Sequence, residues 1–99
     1  MDPRRVPSVL GENPPRLESI SPNHGLAGAS VTISGFFFKG TDDGASTTVL
    51  FDTVTADNIV VVDDQTITCD APTGPTGIVD VTVTTTLGSS VFTGGFEYN

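Results

Sequence analysis

The chain has no tryptophan, and tyrosine, cysteine and histidine each occur once in its 99 residues, as Tyr98, Cys69 and His24. A single cysteine excludes an internal disulfide. A single histidine with no cysteine near it excludes a zinc site, which needs several imidazole or thiolate ligands. No Gly-x-Ser-x-Gly elbow, no glycine-rich phosphate loop and no arginine cluster occurs, and no Asn-x-Ser/Thr glycosylation site. No apolar run is long enough for a signal peptide or a membrane span, so membrane insertion is not expected. Either the chain is made and used without secretion, or it is a piece of a longer protein. Basic residues are scarce too: four against twelve acidic ones, for a net charge of −8. Three of the four, Arg4, Arg5 and Arg16, fall in the first sixteen positions. Beyond them only Lys39 stands against ten acidic residues, so the body carries about −9. Such a body repels phosphate backbones, since nucleic-acid binding needs basic side chains to displace counterions. The acidity favours solubility and resistance to self-association.

The residues that are plentiful belong to strands and turns. Thr and Val favour a pleated, half-buried surface, and eleven Gly and seven Pro supply punctuation. Met1 to Pro14 reads as an arm outside the fold. Pro3, Pro7, Pro14 and Pro15 block helix and central strand, and Val6, Val9 and Leu10 keep no useful period. From residue 15 to 99 short strands are expected at Leu17 to Ile20, around Val31 to Ile33, at Thr48 to Phe51, once or twice within Val54 to Val62, at Thr66 to Cys69, at Ile78 to Thr85 and at Val91 to Tyr98. Pro22 to Gly25, the polar loop Lys39 to Ser46, Asp63 to Gln65 and Leu87 to Ser89 separate them. Gly35 is expected to break or bulge its strand, and Gly94-Gly95 to bulge the last one. No eleven-residue window keeps helical spacing. About seven short strands imply two packed sheets, because one sheet cannot cover its own apolar face.

Alternation picks out the core: Val31, Ile33, Val49, Phe51, Ile67, Val79, Val81, Val83 and Phe96. Cys69, at a strand end, reads as a small buried hydrophobe and not a nucleophile. Asp42-Asp43-Gly44 could offer oxygens to calcium, but the spacing of an EF-hand loop is missing. These acids and Asp63-Asp64 read as solvated turn residues. No catalytic residue, cofactor or metal is assigned. Some apolar residues fall on the wrong face. Leu50 and Ile78 lie opposite the core positions of their strands. In Phe36-Phe37-Phe38, alternation buries either the outer two or the middle one. Phe37, Leu50 and Ile78 are therefore candidate contact residues. Arg4, Arg5, Val6, Val9 and Leu10 of the arm are the others, as anchors on a neighbouring molecule.

From Pro15 to Tyr98 the chain resembles the IPT/TIG family, an immunoglobulin-like fold named for plexins and transcription factors. The resemblance rests on P-R-L-E-S-I-S-P-N-H-G, V-T-I-S-G, V-L-F-D-T-V, Q-T-I-T-C-D-A-P, G-I-V-D-V-T-V and G-G-F-E-Y, in that order and spacing. Two departures occur. Asp52 stands where glycine is common, and Lys39 to Thr47 lengthens the connection before the third strand. The resemblance implies an immunoglobulin-like two-sheet β-sandwich without a catalytic motif. It also implies a module of receptors, transcription factors, carbohydrate-active enzymes or bacterial and phage surface proteins.

The expectation is thus a non-catalytic binding or structural module of a bacterial or phage surface assembly, acting through protein–protein contacts with another protein or with its own copies. One alternative is a small virion decoration or tail protein docking by its arm. Another is an accessory domain of a carbohydrate-active enzyme, although the missing tryptophan leaves carbohydrate binding unsupported. The location would be the cell surface if the chain is excised from a larger protein, or the virion if it is a whole gene product.

Overall fold

The computed structural model describes residues 14–74 and 76–99, which form two antiparallel-dominated sheets and no helix. Nine strand segments occur in chain order: β1 (Arg16–Ser21), β2 (His24–Gly25), β3 (Ser30–Phe36), β4 (Thr48–Phe51), β5 (Val54–Thr55), β6 (Asp57–Asp63), β7 (Thr66–Asp70), β8 (Gly77–Thr85) and β9 (Gly88–Tyr98). Two of them, β2 and β5, are only two residues long; the other seven match the expected strand set. One sheet has the order β1-β3-β7-β6 and the other β2-β9-β8-β4-β5. All pairings are antiparallel except β2 with β9, which is parallel. The Ser21–Pro22 peptide is cis.

Period-two patterning places the core between the sheets. On β3 Val31 and Ile33 point inward while Ser30, Thr32 and Ser34 face outward. On β8 Val79, Val81 and Val83 point inward between Asp80, Thr82 and Thr84. Every core position expected from alternation is buried. Near the exit of β9, Phe96 lies edge-on to both Phe51 and Tyr98, each pair with ring centroids 5.1 Å apart. Edge-to-face geometry sets the positive rim of one ring on the negative face of the next. The Tyr98 hydroxyl donates to the Pro72 carbonyl at 2.6 Å, so its one polar group is satisfied inside the core.

Two turn positions explain their residues. Asp52 sits at φ 62° in the β4–β5 turn. That left-handed conformation accounts for the common glycine there, and Asp is among the few other residues that tolerate it. Gly35 neither breaks nor bulges β3. It is a regular member opposite Leu17, and the irregularity lies on β1 between Leu17 and Ser19. A Cβ on Gly35 would fall 1.9 Å from the Arg16 carbonyl oxygen, so the glycine is needed for close strand approach. The Gly94-Gly95 bulge is present. Val79 pairs with Phe96 and Val81 with Phe92, leaving extra residues on β9, and Gly94 takes φ 65°.

Candidate contact surface

The acidic turns are used structurally. Asp64 Oδ1 accepts the Lys39 amide at 3.1 Å, and Asp63 Oδ1 accepts the Gln65 amide at 2.8 Å. Asp80 Oδ1 accepts the Gly94 amide at 2.8 Å and so pins the β9 bulge. Asp43 pairs with Lys39 at 3.2 Å. The long loop Lys39 to Thr47 is an ordered cap over one end of the sandwich. Thr86 Oγ1 holds it by accepting the Thr41 amide at 2.7 Å, and the Thr47 hydroxyl donates to the Phe38 carbonyl at 2.7 Å. Among the described residues, no three His, Cys, Asp or Glu side chains converge as metal ligands, and no cavity opens. His24 is exposed on β2 beside Glu97. Cys69 is buried on β7. Desolvation, with the neighbouring Asp70 charge second, pushes its thiol pKa up to about 12. It is therefore a neutral thiol and a poor nucleophile at neutral pH.

The phenylalanine run resolves differently from either alternation. Phe38 alone is fully buried, Phe36 is 40% exposed, and Phe37 is half-buried with φ 64°. The left-handed turn at Phe37 ends the pleat, so Phe36 and Phe38 no longer share a face. Phe36, and not Phe37, is the more exposed aromatic. The two rings form a tilted pair 6.2 Å apart at the end of the sandwich. Sequence alternation missed this because it assumes a continuous strand.

Leu50 and Ile78 do lie on the outer face of the five-stranded sheet, as expected, but they do not join. Leu50 is half-buried and pairs with Thr82, and Ile78, 67% exposed, pairs with Glu97. Asp80 and Thr82 intervene on the same face of β8. Across Thr82 from Leu50 stands Val91, which is 56% exposed and completes a row that single-strand reasoning did not connect. Arg4, Arg5, Val6, Val9 and Leu10 lie outside the described residues. At its start the domain is anchored by Pro15, whose carbonyl accepts the Ser90 hydroxyl.

A second exposed apolar group was not singled out from the sequence. Val60 and Val62 on β6 are 54% and 55% exposed, while Ile59 and Val61 of the same strand pack against the core. The signal was present in the run Ile59 to Val62, but nothing in it says that the strand is an edge.

Solved structures share this fold. A protein of unknown function from Bacteroides thetaiotaomicron superposes with a TM-score of 0.77 at 25% identity, over 88% of this chain and 22% of its own. An auxiliary nutrient binding protein from Bacteroides ovatus gives 0.71 at 24% identity, over 91% of this chain and 22% of its own. A surface glycan-binding protein from Prevotella bryantii gives 0.63 at 23% identity, over 80% and 19%. This chain thus spans about a fifth of the length of those proteins, and at these identities the likeness speaks for the fold. The sequence has no match among curated proteins. The IPT/TIG domain family matches residues 15–98, the stretch that forms the two-sheet sandwich, and the chain belongs to that family.

Proposed function

We propose that the domain is a non-catalytic module set in series within a longer bacterial cell-surface protein, where it positions neighbouring parts and makes contacts through its outer surface. The path of the chain carries this reading. The backbone enters at Pro14, which packs beside Gly88 at the β8–β9 turn, and at Pro15, held by Ser90. It leaves at Asn99, whose amide donates to the Gly25 carbonyl. Entry and exit are therefore separated by the length of β9, eleven residues or roughly 30 Å at ordinary strand rise. A module whose described ends, Pro14 and Asn99, lie at opposite ends of the sandwich adds length to a chain without folding it back. Asp63, Asp64 and Asp80 hold turn and bulge amides, and among the described residues no three acids, histidines or cysteines converge, which supports a non-catalytic role. The similar solved chains are several times longer, and two of them are named for nutrient or glycan binding, which favours the cell surface over a virion.

A second reading, a carbohydrate-contacting accessory domain, is favoured by one observation: the exposed Phe36 with Phe37 beside it, an aromatic edge on which a sugar ring could stack. The experiment that separates the two is affinity electrophoresis of the domain through soluble polysaccharides, alongside assays with chromogenic ester, phosphate and glycoside substrates. The linking module migrates unretarded and turns nothing over. Retardation abolished by Phe36→Ala establishes the carbohydrate reading instead. Turnover by the isolated domain overturns both.

A further inference from the structure

Among the described residues, β1, β6, β2 and β5 stand at the sheet edges, and β1, β2 and β5 are short or irregular. β2 and β5 are two residues long, too short to template another strand, and the part of β9 that β2 leaves uncovered, Gly88 to Phe96, is interrupted by the Gly94-Gly95 bulge and by the contact of Ser90 with Pro15. β1 is broken by the irregularity at Leu17 to Ser19 and carries the Arg16–Glu18 ion pair. These are the usual protections of a sheet edge. β6 is different. It is seven residues long and presents Ile59 to Val62, four consecutive β-branched residues, without a lysine or a proline. Among the described residues, positions 58 to 62 make no backbone hydrogen bond to a loop, so the side of β6 away from β7 keeps its ladder groups open. Val60 lies beside Thr68 on the outer face, and Val60 and Val62 are both more than half exposed. Such a stretch is what a pairing edge offers, with main-chain groups for affinity and alternate side chains for selection.

Its ends are acidic. Asp57 opens the strand, and Asp63 and Asp64 close it. Irregularities flank the central stretch, one between Asp57 and Val60 with Asn58 at φ 54°, the other between Val61 and Asp63. Pairing of two β6 strands from two copies would place acidic ends against acidic ends in molecules of net charge −8. Like charges set directly opposite each other are destabilising. The bracket therefore discriminates: it rejects a second copy and attracts a cationic strand.

We propose that the free edge of β6 is a docking edge for an extended segment of another protein, apolar at alternate positions and carrying Lys or Arg at both ends. The segment adds as a fifth strand to the β1-β3-β7-β6 sheet. Its apolar residues cover Val60 and Val62, and its cations meet Asp57 at one end and Asp63 and Asp64 at the other. This goes beyond the linking role, which holds whether or not the edge is used.

The test uses the full chain and a short synthetic peptide of alternating Thr and Val with two lysines at each end. A control peptide carries glutamates in place of the lysines. Amide shifts and hydrogen exchange are followed by NMR. The expected result is slowed exchange at residues 59 to 62 with the lysine peptide only. Binding should weaken by at least about tenfold in D63K/D64K or in V60K/V62K, and should fall as salt is raised. Equal binding of both peptides, perturbations that map away from β6, or no binding at millimolar peptide each overturn the proposal. Concentration-dependent protection of residues 59 to 62 without peptide makes the occupant a second copy and also overturns it. Protection lost when residues 1–13 are removed makes the occupant the chain's own N-terminal segment, with the same consequence.

Discussion

Replacing Phe96 by alanine tests the central claim about what holds the sandwich together. Phe96 is fully buried, bridges Phe51 of β4 and Tyr98 of β9 through two edge-to-face contacts, and pairs across from Val79 of β8. It is where the long hairpin of β8 and β9 meets the core. Truncation removes a ring that has no water to replace it and leaves two aromatic neighbours each lacking a partner. Buried Phe→Ala changes cost about 3–5 kcal/mol. A domain of this size has a total stability of roughly 4–13 kcal/mol at the usual 0.05–0.15 kcal/mol per residue. The variant should therefore lose roughly a quarter or more of its stability and in the worst case be unfolded at 25 °C. In urea followed by far-UV circular dichroism, a loss of about 4 kcal/mol moves the midpoint down by roughly 3 M for an m-value near 1.3 kcal/mol/M. In a thermal melt it lowers Tm by roughly 15–30 °C. Phe96→Leu keeps most of the volume and should cost only about 1–2 kcal/mol. Ile78→Ala, on the outer face, should stay within about 0.5 kcal/mol of the parent. A loss below about 1.5 kcal/mol for Phe96→Ala, or an equal loss for Ile78→Ala, would show that the aromatic cluster is not the keystone described.

Four further outcomes are expected. Tyr98→Phe strands the Pro72 carbonyl in the core and should cost about 1–2 kcal/mol, read by urea denaturation. Asp52→Val forces a β-branched residue to φ 62° and should cost about 1–2 kcal/mol, whereas Asp52→Gly should be nearly neutral; a reversed order would mean that the turn is not left-handed in solution. Cys69 should resist iodoacetamide at pH 8 in the folded protein and react fully in urea. Its folded pKa, about 12, lies above the ordinary value of 9.0, so the stabilising effect is complete below about pH 9. It is lost as pH rises toward 12, because only the unfolded thiol ionises in that window. The upward shift at Tyr98, also from burial, acts with the same sign, so a flat stability profile above pH 9 would contradict both. If residues 1–13 act as an arm outside the fold, removing them should leave Tm within about 2 °C; a loss of several kcal/mol would make them part of the fold.

Alternation and turn chemistry, both local properties, were legible in the chain. Val79, Val81 and Val83 could face only one way once β8 was a strand, because the side-chain period is two. The same rule placed Val31, Ile33, Val49 and Phe51, and Gly94-Gly95 marked its bulge without any knowledge of a partner. Asp52 was a departure from the family pattern in the sequence, and only the structure showed that it holds a left-handed turn. Tertiary structure decided what depends on neighbours. Phe37 escapes alternation because a left-handed residue ends the pleat where the chain turns into the loop of residues 39 to 47. Leu50 and Ile78 share a face but not a patch, since their separation is set by the register of β4 on β8. Val60 and Val62 became a candidate contact only when β6 proved to lie at the sheet's edge. A strand's sequence states which face it turns inward, but whether its backbone is left unpaired depends on which strands stand beside it, a non-local fact that no window of residues contains.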